Sequence, residues 1–548
     1  MQEFYNELTR KVKQAVRELY PVCDLSSLPD SAFSFTPPRN REFGDLSLSL
    51  PLKLSSILKA PPHSIAEILR NKLEKTFSVS GSGVARIEVV KPGFINLFLT
   101  SEKVHELFNR LLAEGSGFFK EDSAKGKKIL LEFVSANPTG PLSIASGRQA
   151  VVGDVLAALF SFFGAEVLKE YYINDEGRQI DLFVESVRQR IEELKGREFA
   201  VPEGGYLGEY VKDIAQTVLE DKEFKDRGQA LREKVLKAVL DMIKNDLLDI
   251  GLKYDSWVSQ KNLHDTGRIK EAVDFLKERG LTYEQDSALW FKSSLFGDEK
   301  DRVLVRKDGS FTYFSADIAY HKNKLDRGYK TLLNLWGPDH HGYIPRIKAA
   351  LKSISGDKKE NPDFNILIIQ LVSVKSGKMS KRKGTAVLVK DLVSEAGKDA
   401  VRFYYLLRKN SSHLDFDLEK AVSKSFDNPL YYVQYAYARI CSIKEKINRE
   451  VDVSKLNLLV EKEELSLIKF LFVFHSSLQS ALIQSEPFFI VDYLKDLASS
   501  FHKFYETCRV LVKDNPDLTS ARLSLIEGVR ITLKLGLDLL NINAPEKM

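Results

Sequence analysis

Cysteine is scarce in this chain: three residues in 548, Cys23, Cys441 and Cys508, far apart and with no C-x-x-C pair. That argues against a disulfide framework and a structural zinc site, and fits unlinked thiols in a reducing compartment. Long apolar runs are missing too. The strongest stretches, such as 366–372, fall well short of the ~20 residues that span a bilayer, and the opening MQEFYNELTRK is polar and charged, unlike a secretory leader. A soluble, cytoplasmic protein without a membrane partner is expected. Charge of one sign is also lacking. With 81 Lys and Arg against 76 Asp and Glu, the net charge is +5, which permits a nucleic-acid partner without pointing to one. No internal repeat or low-complexity tract stands out.

What is present is length, with 43% hydrophobic residues, too much for one core, so about three domains are expected. Residues 1–115 read as a mixed α+β unit: helical apolar spacing over 4–20, then ARIEVVKPGFINLFL as strands broken at Pro92-Gly93. A Gly-, Ser- and Lys-rich stretch over 113–128 marks a boundary. ILLEFV (129–134) reads as a buried strand, 144–163 as an apolar helix ended by Gly164, and AEVLKEYYI as the next strand. This βαβ unit opens a parallel sheet, and an α/β domain is expected over 116–388. A charge-rich helical insertion interrupts it at about 180–250. TLLNLW before GPDHHGY, and NILIIQLVSV before KSGKMSK, repeat the strand-then-loop theme. From 389 to 548 the apolar periodicity is helical, predicting an all-α bundle.

Two stretches carry chemistry. KMSKRKG, from Lys378 to Gly384, places Lys378, Lys381, Arg382 and Lys383 within six residues. Cations on such a loop can neutralise charge that shifts between phosphates during reaction. SANPTGPLSIASGRQ (135–149) follows the first strand of the parallel sheet, where ligands of such sheets bind. Its helix start offers N–H groups and a positive dipole end to a phosphate, with Ser143 as the N-cap. Taken singly, the first stretch also reads as a solvated charge run and the second as an ordinary capped helix.

FGDLSLSL, KPGFINLFL, EFVSANPTGPL, EYYINDEGRQI, PEGGYLGEY, YFSADIAYH, WGPDHHGYIPRIKAAL, KMSKRKG, SSHLDFDL, NPLYYVQYAYARICSI and NAPEKM follow one another in an order that resembles the class I aminoacyl-tRNA synthetases, specifically arginyl-tRNA synthetases of the bacterial type. The resemblance covers nearly the whole length. It implies an N-terminal domain touching the tRNA elbow, a Rossmann-type catalytic domain and a helical anticodon-binding domain. It also implies a reaction: arginine and ATP, accompanied by Mg²⁺, form arginyl-adenylate, and the arginyl group passes to its tRNA. A monomer is expected.

Carried over residue by residue, the resemblance implies that Lys378 and Lys381 stabilise the reacting phosphates, joined by Ser143 and Ser146. ATP would lie along Gly140, Ser143, Ser146, Gly337, Asp339, Lys378, Met379, Ser380 and Lys381. Glu132, Ser135, Asn137, Gln260, Tyr313, Asp317 and His340 would bind the amino acid, with Asp317 as the charged contact to the guanidinium. Two departures stand out. Ser143 and Ser146 replace the family's histidine signature, and Gln260 stands where the family usually has an acid. They motivate one alternative to the active ligase, a non-catalytic or altered relative that binds tRNA without charging it; a different ATP-dependent adenylating enzyme is the remaining one. Tyr431 and Tyr435 share one predicted helix face near Arg439, a pattern that either stacks bases or packs a bundle.

Overall fold

The structure is a computed structural model. It describes residues 1–21, 28–38, 40–77, 82–221, 228–355, 362–375, 387–447, 449 and 451–548. The chain folds as two compact units. One comprises residues 122–424 and 540–542, the other residues 1–121, 425–539 and 543–548.

The first unit is built on five parallel strands: β1 (Lys128–Phe133), β2 (Glu166–Ile173), β3 (Ser256–Ser259), β4 (Thr331–Trp336) and β5 (Asp363–Ile368). Their spatial order is β3-β2-β1-β4-β5, the doubly wound order whose switch point lies between β1 and β4. Register sets Glu132 of β1 opposite both Asn334 of β4 and Glu170 of β2. β1 reads ILLEF because a central parallel strand is covered on both faces, and all five of these residues are buried.

Helix α1 (Ile144–Phe162) returns the chain from β1 to β2. Apolar almost all round, it is buried along most of its length, as such helices must be. It ends at Gly164, where φ is +92°. The short helix α2 (Gln260–Asp265) follows β3, and α3 (Tyr313–Asp326) precedes β4. Three helices, Arg178–Leu194, Glu209–Glu220 and Gly228–Asp249, are inserted between β2 and β3 and share their own core around Phe183, Val187, Ile214 and Val235. Three antiparallel strands spanning Thr282–Gln285, Ala288–Phe291 and Arg302–Val305 lie outside the parallel sheet.

The second unit holds a four-stranded antiparallel sheet and a set of long helices. Lys469 of Lys462–Gln484 pairs with Asp45 at 2.9 Å, and His475 of the same helix pairs with the buried Glu121. Lys462–Gln484 is long and apolar enough, by length and composition, to cross a membrane. Its Leu467, Phe470, Leu471, Phe474 and Leu478 are instead buried in the helical core.

A Cβ placed at Gly153 would lie 2.4 Å from the Phe133 ring, so α1 seats on β1 only with glycine there. Gly153→Ala should therefore destabilise the parallel-sheet unit by ~1–3 kcal/mol, the usual cost of overpacking a core. A lower urea midpoint would report it, and an unchanged midpoint would show that the helix can shift at no cost.

Candidate active site at the carboxyl end of the first strand

The chain leaves β1 through a strained reversal. Val134 and Ser135 have φ of +68° and +39°, a region that β-branched Val134 enters only when its surroundings force it. The Ser135 N–H donates to Phe133 O at 3.0 Å, closing a tight turn around Val134. Tyrosine hydroxyls from three other parts of the chain hold this loop. Tyr254 donates to Phe133 O at 2.8 Å, Tyr171 to Ala136 O at 2.9 Å and Tyr210 to Thr139 O at 3.0 Å. Gly140 faces the last of them: a Cβ there would meet the Tyr210 ring at 3.0 Å.

This reversal brings several of the sequence-predicted residues into one network. Ser135 Oγ donates to Glu132 Oε1 at 3.2 Å and accepts from the Tyr172 N–H at 3.1 Å. The Tyr172 hydroxyl donates to Gln260 Oε1 at 3.1 Å, and Gln260 is buried at the start of α2. Asn137 donates to Gln179 at 2.7 Å. The Gln260 amide lies 3.5 Å from Glu176 Oε2, so the neutral side chain has a carboxylate neighbour.

Helix α3 supplies Tyr313 and Asp317. Tyr313 is exposed and packs against Gly177, where a Cβ would fall 2.2 Å from its hydroxyl. Asp317 accepts from the Tyr343 hydroxyl at 2.5 Å. Burial pushes the Asp317 carboxyl up to about 7, with Glu132 adding to the rise, while the Tyr343 hydrogen bond, Lys324 and Arg346 oppose it. The group is thus poised near neutrality, ready to be ionised by an arriving cation.

The turn after β4 carries Gly337, Asp339 and His340. It lies against α1, since a Cβ at Gly337 would come 3.6 Å from Gln149 Nε2. His340 is exposed, 3.4 Å from Asp339 and beside the Trp336 ring.

Ser143 is the N-cap of α1, accepting from the Ser146 N–H at 3.2 Å, and the two hydroxyls lie 3.1 Å apart. Ile144 N–H donates to Val387 O at 3.2 Å, so the first turn of this helix is already partly engaged. Lys378, Met379, Ser380 and Lys381 lie outside the described residues. The chain on either side of them is described: Lys375 N–H bonds Phe416 O at 2.9 Å, and Val389 N–H bonds Leu142 O at 2.9 Å, next to Ser143.

Sequence reasoning missed Lys324, Asn334, Tyr172 and Tyr343. Lys324 Nζ lies 2.5 Å from Glu132 Oε2, and Asn334 donates to the same oxygen at 2.9 Å. A signal existed for Lys324, which stands seven residues after Asp317 on the same helix face.

In the second unit, Tyr431 and Tyr435 stack at 6.1 Å as their spacing predicts, and exposed Phe426 lies 5.2 Å from Tyr435. Tyr437, two residues on, is buried. Arg439 donates to the Tyr505 hydroxyl at 2.9 Å.

Three family models match in chain order: an arginyl tRNA synthetase N terminal domain over residues 6–99, the catalytic domain of class I tRNA synthetases (R) over 107–426, and a DALR anticodon binding domain over 433–548. The arginine–tRNA ligase of Geobacillus kaustophilus is 39% identical over 561 residues, covering 99% of each chain. That of Aquifex aeolicus is 40% identical over 594 residues, covering 98% of this chain and 99% of the relative. The solved arginyl-tRNA synthetase of Thermus thermophilus superposes with a TM-score of 0.78 at 22% identity, covering 99% of this chain and 100% of that one, which speaks for the fold. Matched from end to end at about two-fifths identity, the chain belongs to the arginyl-tRNA synthetase family of class I aminoacyl-tRNA synthetases.

Proposed function

We propose that this protein attaches arginine to its tRNA at the carboxyl end of β1, using ATP. In the first step an arginine carboxylate oxygen bonds to the α-phosphorus of ATP and the bond to pyrophosphate breaks. In the second, the terminal ribose hydroxyl of the tRNA attacks the carbonyl carbon of the adenylate and AMP leaves. Neither step needs a side-chain nucleophile, so the work is positioning and charge stabilisation. The observation that carries this reading is the convergence beside one strand end of Ser135, held between Glu132 and the Tyr172 backbone, and Asp317, a carboxylate bonded to the Tyr343 hydroxyl and, among the described residues, in no ion pair. Such a pocket suits a guanidinium-bearing amino acid, beside a helix start suited to phosphate.

Asp317 meets the guanidinium, Ser135 and Asn137 hold the amino-acid end, and Gln260 with Tyr313 and His340 line the remaining sides. Gly140, Ser143, Ser146, Gly337 and Asp339 follow ATP, and Lys378 and Lys381 offset the phosphate charge with Met379 and Ser380 between them. Mg²⁺ would accompany ATP as part of the substrate and supply positive charge to its phosphates. Residues 1–115 touch the tRNA elbow, 116–388 carry the chemistry and 389–548 bind the anticodon. The protein works as a cytoplasmic monomer. Nothing in the likeness to its relatives favours a protein that binds tRNA without charging it.

Arginine-dependent exchange of pyrophosphate into ATP, with and without tRNA, tests the reading. No exchange under either condition, with tRNA binding intact, refutes it. Lys381→Ala should slow activation about 10²-fold, the scale of a lost transition-state donor, while tRNA binding falls far less; equal losses would mean that the loop binds RNA instead. Asp317→Asn should raise the arginine KM about tenfold or more, as expected when a charged contact is lost. The same change should stabilise the fold at pH 8. The native carboxyl titrates at about 7, above its ordinary value, so its burial costs stability increasingly as pH rises from ~4 to ~7. Asparagine removes that cost, and its advantage in thermal midpoint should shrink as pH falls through this window.

A further inference from the structure

Helix α3 places Tyr313, Asp317, Tyr320 and Lys324 on one stripe, four, three and four residues apart. The stripe runs from open to sealed: Tyr313 is exposed, and the Lys324 side chain is 0% exposed. An ammonium taken out of water must be paired and hydrogen-bonded. Lys324 Nζ meets that demand with Glu132 Oε2 at 2.5 Å, Asn334 Oδ1 at 3.5 Å and the Tyr320 ring centre at 4.2 Å. Asn334 donates to Glu132 Oε2 as well, and Ser135 takes Oε1. Both oxygens of Glu132 are thereby engaged within the protein. Among the described residues no lysine or arginine forms an ion pair with Asp317.

Resting on the arginine-binding role assigned to this site, we infer that Lys324 is a positioning and specificity-determining residue: by pairing with Glu132 it keeps that acid turned into the sheet, leaving Asp317 as the acid that answers the guanidinium. Without Lys324, Glu132 would lose its ion-pair partner and two acids would face one cation. The groups facing Asp317 agree with this division. Tyr343 and Arg346 approach from the segment after β4, Glu132 from β1 and Tyr172 from β2. On its own helix, Lys324 favours the ionised form, and His321 is held neutral by burial, its pKa pushed down to about 3.

The experiment is calorimetric titration of full-length protein with arginine in two buffers of different ionisation enthalpy, from pH 5.5 to 8.5 as chosen conditions, ~3 units spanning the Asp317 titration. Wild-type protein should release about half a proton at pH 7 and follow one titrating acid. Two titrating acids in the wild type would overturn the inference without any variant. Lys324→Met, checked for folding by circular dichroism, should release more protons and bind arginine about tenfold more weakly at pH 7, recovering at higher pH. Adding Glu132→Gln to it should return proton release toward the wild-type value, because only one acid is then left to titrate. Proton release unchanged in folded Lys324→Met, or identical in the single and double variants, sinks the inference alone. A wild-type protein that binds no arginine sinks the reading of the site on which it rests.

Discussion

The reversal at Val134 and Ser135 is the constraint on which the site depends. Two consecutive non-glycine residues with positive φ cost on the order of 1–3 kcal/mol each and persist only where the surroundings over-determine them. The surroundings here are identifiable. Tyr254, Tyr171 and Tyr210 bond the carbonyls of Phe133, Ala136 and Thr139, and Ser135 is held between Glu132 and the Tyr172 backbone. The strain re-aims the chain so that Ser135, Asn137 and the cap of α1 all follow within ten residues of a buried strand. A relaxed exit from β1 would scatter them.

Charge is handled in layers around that turn. Deepest are pairs that satisfy themselves. Glu170, fully buried, is held by both arms of Arg327 at 2.6 and 2.9 Å and by the Tyr320 hydroxyl at 2.8 Å. Burial, the largest single influence, opposes its ionisation, and Arg327, Lys324 and the Tyr320 hydroxyl together outweigh it to keep the carboxyl below its ordinary range. Glu132 with Lys324 forms the next layer, and Asp317, whose carboxylate is bonded to the Tyr343 hydroxyl, the outermost. Tyr172 stacks on Tyr320 at 4.3 Å and so joins the layers mechanically as well as electrically. Arg148, fully buried in α1, donates to the carbonyls of Gln370, Ser412, Arg408 and Lys409, tying the same helix that caps at Ser143 to the segments that lead into the strands Val372–Val374 and Leu414–Phe416.

Much of the fold was legible. β1, α1 and β2 fell within two residues of their expected limits, because a buried parallel strand, an all-apolar helix and a helix-ending glycine each leave a local signature. The Ser143 cap was legible for the same reason. The strands between 282 and 305 were not found, since short antiparallel pieces owe their existence to partners rather than to their own periodicity. Lys324 escaped notice because, in sequence, a lysine on a charged helix end looks solvated; only register with Glu132 and Asn334 shows it to be sealed.

By itself the sequence determined the βαβ opening of the parallel sheet, the kind of chemistry and, through motif order, the family. Those properties reside in neighbouring residues and their spacing. Tertiary structure alone decided which charges cancel inside the protein and which remain for a substrate. Glu132, Asp317 and Lys324 are separated by up to 192 residues, and whether two of them meet depends on the strand register and helix rotation that packing imposes. A carboxylate's burial, and so its readiness to take or release a proton near neutrality, is a property of that packing and of no residue taken alone.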